Sequence, residues 1–259
     1  MALLEIKGGI KNYKSGKEIK TTFKNLNLKF NQSELIVIKN ANTEEKSTIL
    51  NILCGLEFLT EGNLYVDAID IYEQKIRKID KIRRAYFGIV LEDQDLISNL
   101  TVEENILLAK EINKNSFNIE FILEKLCLTS IKDEPIYFLS YIEIKRILLA
   151  MALIKKPKII LCNLERFSDD EKEHKKILKN ILEIIKKEKI LFIITTNNKE
   201  ISSNASKILI TKNATITHEK AKSKVEVKKQ TETKKAAKKS ITKKTTKRKK
   251  VVKAWVKIR

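Results

Sequence analysis

The chain has 259 residues, 42% of them hydrophobic and 33% charged, and a formal net charge of +20. That length and apolar content allow a buried core and exclude a chain that is disordered throughout. The charge is uneven: residues 219–259 hold 18 Lys/Arg against 3 Glu, a net +15, which leaves +5 for residues 1–218. The longest apolar run, residues 147–154, is far short of the ~20 residues that span a bilayer. Residues 1–6 are too short a start for a signal peptide, so the chain reads as cytoplasmic. Cys54, Cys127 and Cys162 stand singly on apolar stretches, as buried free thiols do, and His174 and His218 have no companions at metal-ligand spacing.

In chain order, strand-like pieces occur at 3–6, 9–13, 26–30 and 35–38, followed by a helix at 47–54, an alternating strand at 62–71, a charged helix at 73–84 and an apolar strand at 86–91. The character then changes. Residues 101–155 read as mostly helical, with Thr101/Glu104 and Ser140/Glu143 each at capping-box spacing. Strands return at 158–162 and 190–195 around an amphipathic helix at 168–187, and a short helix and a hairpin at 207–217 follow. Strands alternating with helices imply an α/β domain over 1–218, with a mainly parallel sheet covered on both faces. A helical subdomain is inserted at about 92–155. Beyond it lies a Lys-rich tail, 219–259, whose composition cannot bury a core and is expected to be disordered.

The segment after the 35–38 strand reads Asn40, Ala41, Asn42, Thr43, Glu44, Glu45, Lys46, Ser47, Thr48 and then an apolar helix. A strand, a loop and a helix opening on Lys-Ser/Thr is the layout of a phosphate-binding loop. There, glycines let backbone N–H groups curl round phosphate oxygens while the lysine neutralises charge and the hydroxyl holds Mg²⁺. Here Asn40, Thr43 and Glu45 stand at the glycine positions. Glu44 and Glu45 sit at a helix N-terminus, which favours an anion, so the chain can fill its own phosphate site; the plainer reading of Lys46 is a pair with Glu44 or Glu45 in its own first turn. Only six glycines in the whole chain makes a general bias in residue usage a second reason for their loss.

Together with residues 96–105, Leu139-Ser140 before Lys145-Arg146, and residues 150–153 before 157–161, this segment resembles a subunit of the ATP-binding cassette (ABC) transporters with degenerate nucleotide motifs. The resemblance covers about residues 3–217 and is nearest the lipoprotein-releasing and macrolide-export branch and its cell-division relatives. It implies a P-loop nucleotide-hydrolase fold with an antiparallel β part. It further implies Tyr13 stacked on adenine, and Lys46, Ser47 and Thr48 around phosphate and Mg²⁺. Leu139 and Ser140 would be the remnant of the signature loop. The helical insertion would grip a membrane permease at the cytoplasmic face, and the partner would be a second copy or a competent paralogue.

The departures from the family fall on the chemistry. Glu92 replaces a glutamine, Asn163 the metal-ordering aspartate, Leu164 the water-polarising glutamate and Thr196 the switch histidine; Tyr141, Ile142 and Glu143 replace the rest of the signature. Phosphoryl transfer depends almost wholly on such positioned charge, so ATP and Mg²⁺ would bind weakly and turnover would be lost. Each residue also has a plainer reading: Tyr13 as a strand aromatic, Ser140 and Thr101 as helix caps, Glu92 and Asn163 as polar residues at strand ends. Leu96, Leu100, Ile106, Leu107, Ile122 and Leu126 can form one helical packing surface.

The reading is therefore a non-hydrolysing cassette subunit. One rival is an active subunit coupling ATP hydrolysis to export or lipoprotein release. The other is a protein that binds nucleic acid or anionic lipid through residues 219–259, whose Lys-rich run and Trp255 suit phosphate backbones or a membrane surface.

Overall fold

The computed structural model describes residues 2–16, 18–39, 41–91, 96–111 and 116–219. Asn40, Glu92 and the basic tail with Trp255 lie outside them. β1 (Leu4–Ser15) and β2 (Glu18–Phe30) pair antiparallel, and β1 also pairs with β4 (Glu61–Val66), which turns into β5 (Ile69–Asp70). The two strand pieces expected at 3–6 and 9–13 are thus one strand, kept continuous through irregular pairing at Gly8 and Gly9. Opposite them Gly62, at φ +87°, lets the two backbones meet: a Cβ there would stand 2.5 Å from the carbonyl oxygens of Lys7 and Gly8. The single strand expected at 62–71 is two, because Asp67 and Ala68 both take positive φ and close a two-residue hairpin.

The second sheet runs β10-β9-β3-β8-β7-β6. β3 (Leu35–Lys39), β6 (Phe87–Val90), β7 (Ile159–Asn163), β8 (Leu191–Thr195) and β9 (Lys207–Lys212) are parallel, and β10 (Thr215–Glu219) closes the edge antiparallel. Near-continuous apolar strands fit a sheet buried on both faces, and alternate side chains go to two cores. Ile36, Ile38, Leu161 and Ile193 pack towards β1, β2, α1 (Thr43–Leu53) and α2 (Ile76–Tyr86). Val37, Ile160, Cys162 and Ile194 pack towards α5 (Tyr141–Ile154) and α6 (Glu171–Lys187). A short α7 (Lys199–Ser203) follows β8.

The helical insertion is present as α3 (Val102–Glu111), α4 (Ile119–Lys125) and α5. Thr101 and Glu104 cap α3 reciprocally at 2.8 and 3.2 Å. The single packing surface expected of its leucines and isoleucines is not formed. Ile106, Ile122 and Leu126 are in the core, whereas Leu107 is 36% exposed and Ile97, beside Leu96, is 52% exposed. The helical period separates neighbours 106 and 107 onto different faces. Asn105, which is buried, accepts from the Ile97 N–H and donates to the Ile97, Leu100 and Thr101 carbonyls, fixing the loop before α3. Of the thiols, Cys54 and Cys162 are buried, but Cys127 is half-exposed in a left-handed turn at φ 55°. Burial pushes the Cys54 thiol up to about 11 and the Cys162 thiol up to about 12.

Candidate functional site

Residues 41–47 run into α1 without a left-handed turn. Helix α1 begins at Thr43, four residues before the Ser47 start expected from sequence, because Asn42 and Glu45 form a capping box. The Asn42 side chain accepts from the Glu45 N–H at 2.8 Å, Glu45 Oε2 accepts from the Asn42 N–H at 2.9 Å, and the Lys46 N–H reaches the Asn42 carbonyl at 2.9 Å. A phosphate nest needs successive N–H groups turned inward by alternating αR and αL residues. None of residues 41–47, all of them described, has a positive φ, and the N–H groups of Glu45 and Lys46 are taken up inside the helix turn.

The carboxylates of that turn do not pair with Lys46, so the plainer reading of that lysine does not hold. Glu45 caps the helix, and Glu44 turns outward to Lys20 and Thr22 on β2. Lys46 instead meets Glu165, two residues past the end of β7: Nζ to Oε1 is 2.7 Å. The other Glu165 oxygen accepts from Thr196 Oγ1 at 3.0 Å and from the Asn197 N–H at 2.8 Å. Burial alone would raise the Glu165 pKa, but Lys46 and those two donors outweigh it and hold the carboxyl below its ordinary 4.5. Glu165 carried no motif signal, and the sequence reading missed it.

The other expected site residues fall as follows. Asn163, at the end of β7, accepts from Thr195 Oγ1 at 2.9 Å. Leu164 is 5% exposed, with its side chain in the core beneath α5 and α6, and Thr196 is fully buried. Tyr13 stands over α1: its hydroxyl bonds Thr48 Oγ1 at 3.0 Å and donates to Glu57 Oε1 at 2.5 Å, while the Lys11 ammonium lies 4.7 Å from its ring centroid. Burial first, then the Glu57 hydrogen bond, push the Tyr13 phenol up to about 12. Ser47 is half-buried and Thr48 buried in α1. Ser140 caps α5, donating to Glu143 Oε2 at 2.7 Å and accepting from the Glu143 N–H at 3.3 Å, and Leu139 packs on the core. The plainer reading of Ser140 as a cap is what the geometry shows.

Lys46, Leu164 and Glu165 border a cavity of about 260 Å³ that is also lined by Thr43, Tyr141 and Ile142. The structure thus brings Lys46, Asn163 and Leu164 together with the start of α5, while Tyr13 contributes at the opposite, β1 side of α1 through Thr48. Among the described residues no group of three or more His, Cys, Asp or Glu is arranged for a metal.

With this geometry in view, comparison with known proteins identifies the architecture. Residues 23–163 match the ABC transporter family, more than half of the chain. The chain belongs to that family. It is 27% identical to the ATP-binding cassette MJ0796, solved as a dimer bound to ADP and Pi, with a TM-score of 0.74 over 85% of this chain and 99% of that one. The lipoprotein-releasing system ATP-binding protein LolD of Rickettsia bellii is 28% identical over 211 residues, 80% of this chain and 93% of that protein. A putative ABC transporter ATP-binding protein of Mycoplasma pneumoniae is 26% identical over 80% of this chain, which spans only 45% of that relative's length. The ABC cassette fold expected from sequence is therefore the fold of the described residues. No helix among the described residues is long and apolar enough to cross a membrane.

Proposed function

We propose that this chain is a cassette subunit of an ABC-type membrane complex that binds ATP weakly and does not hydrolyse it. The observation that carries this reading is Leu164. Where a family member presents a glutamate to the attacking water, this chain buries an alkyl side chain that can neither accept a proton nor orient water. Its neighbours at the strand ends, Asn163, Thr195 and Thr196, are uncharged, and the carboxylate beside them, Glu165, is engaged by Lys46, Thr196 and Asn197.

The donors around the cavity do not fit Mg²⁺. That ion favours carboxylates and water in octahedral array, whereas Asn163 is neutral and accepts from Thr195, and both Glu165 oxygens are held by other donors. The cavity of about 260 Å³ also lies below the ~300–1,000 Å³ usual for ligand pockets.

In this reading the helical subdomain docks on a permease at the cytoplasmic face, and the cassette pairs with a second copy or with a competent cassette. The relatives' names as transporter ATP-binding proteins and the dimeric MJ0796 support it. The exposed Ile97, Leu107 and Leu108 supply an apolar contact on that subdomain. The +15 tail adds an attraction to anionic lipid or nucleic acid that removal of residues 219–259 and added salt would each abolish. Steady-state phosphate release tests the central reading. The full chain under saturating Mg-ATP should give no more than its Lys46→Ala variant; a rate that Lys46→Ala removes would make the chain an active ATPase subunit.

A further inference from the structure

The carboxylate on Lys46 is built into the fold. Glu165 is bonded by three residues from two segments: Lys46 from α1, and Thr196 and Asn197 from the loop after β8. Each Glu165 oxygen is thereby directed, and the Thr196 hydroxyl that holds one of them comes from a fully buried residue. Lys46 is itself mostly covered, with 16% of its side chain exposed. The other cation bordering the cavity, Arg166, is directed elsewhere, to the Ser168 and Asp169 carbonyls and the Glu171 carboxylate. An incoming polyphosphate therefore finds Lys46 on Glu165 and Arg166 on Ser168, Asp169 and Glu171.

We infer that Glu165 is an internal competitor for the phosphates of a nucleotide: its carboxylate takes the place on Lys46 that an outer phosphate would take, and nucleotide binding requires the Lys46–Glu165 pair to open. This deepens the proposed function, on which it rests, by assigning the weak affinity to one displaceable contact. The contact is reversible in principle, since Glu165 lies on the loop after β7 and its side chain is 52% exposed. A partner or second cassette that drew this loop away would free Lys46 without any change in α1.

The test compares Mg-ATP and inorganic triphosphate binding by the full chain, Glu165→Gln, Glu165→Ala and the double variant Lys46→Ala/Glu165→Gln, with thermal unfolding followed in parallel. Glu165→Gln keeps the shape and removes the charge. Both single variants should bind each ligand about tenfold more tightly or better, the factor that corresponds to 1.4 kcal/mol, and the double variant should lose the gain. Equal binding by folded wild type and both single variants overturns the competitor role and leaves the non-hydrolysing reading standing. Weaker binding by both, together with wild-type phosphate release that Glu165→Gln abolishes, overturns both, because Glu165 would then act on the nucleotide. Tighter binding accompanied by Lys46-dependent turnover in the wild type supports the competitor and overturns the non-hydrolysing reading alone.

Discussion

Lys46 and Glu165 are 119 positions apart in the chain and 2.7 Å apart in space. The parallel register produces that meeting. Thr195 lies level with Ile38 of β3 on one side and with Asn163 of β7 on the other, so the C-terminal ends of three strands are aligned. The chain then leaves each strand towards the same crevice, the usual ligand position of an open α/β sheet. What differs here is that the crevice is bridged by a salt link from the protein itself.

Leu164 contributes to stability. Leu164→Ala should lower the unfolding free energy by about 2–5 kcal/mol, as expected for a buried leucine whose surroundings collapse only partly. Leu164→Glu should be worse, because it places a carboxylate among Phe167, Ile177 and the rest of that apolar cluster. Urea denaturation of the two variants measures both. A Leu164→Glu variant as stable as the wild type would show that this position opens to solvent.

The capping boxes of α1 and α5 should be equivalent in energy. Glu45→Ala and Glu143→Ala each remove a reciprocal cap and should cost about 1 kcal/mol, whereas Glu45→Gln, which can still accept from the Asn42 N–H, should be near neutral. Chemical denaturation followed by far-ultraviolet circular dichroism reads the difference.

His174 makes stability depend on pH. Its ring is buried against Phe167, Nδ1 accepts from the Phe167 N–H at 3.1 Å, and Nε2 lies 3.9 Å from Glu200. Burial lowers its pKa below the ordinary 6.5; Glu200 and Glu171 oppose that shift, and Arg166 and Lys175 add to it. The unfolded chain therefore binds a proton more readily than the folded one, and stability is lost as pH falls below about 6.5. Thermal unfolding between pH 7.5 and pH 5.5 (round values bracketing that pKa, about 6.5) should show a falling midpoint. His174→Leu should flatten this slope at the cost of an unpaired Phe167 N–H, about 1–3 kcal/mol.

Ile97 separates docking from folding. Being exposed, Ile97→Asp should change stability by no more than about 0.5 kcal/mol while releasing the tail-truncated chain from membranes. Leu96 is packed on the core, so the same change there would confound the two effects. Membrane association that survives Ile97→Asp in a chain lacking residues 219–259 would place the permease contact elsewhere.

Order and type of the elements were legible in the sequence because they rest on local pattern: continuous apolar strands, helical spacing, and the Thr101/Glu104 and Ser140/Glu143 caps. The early start of α1 was legible too, since Asn42 and Glu45 stand at the same capping-box spacing, but the glycine positions of a phosphate loop drew the reading away from it. Joining of the strand pieces at 3–6 and 9–13 was not legible, because Lys7 and Gly8 read as a break, whereas the pairing there is an irregularity within one strand. Glu165 was invisible for a different reason. It lies outside every motif, and its partners Lys46, Thr196 and Asn197 come to it only through the strand register. Ile106 and Leu107 show the limit of apolar counting: adjacent in sequence, one is core and the other surface.

The most direct test of the account is a single-turnover experiment, with the full chain in large excess over labelled Mg-ATP so that weak binding cannot mask slow chemistry. With Leu164 in place of a water-orienting acid, no labelled ADP should form beyond that seen with Lys46→Ala, even in Glu165→Gln, where binding is expected to be tighter. ADP formation by the wild type that Lys46→Ala abolishes would contradict the account.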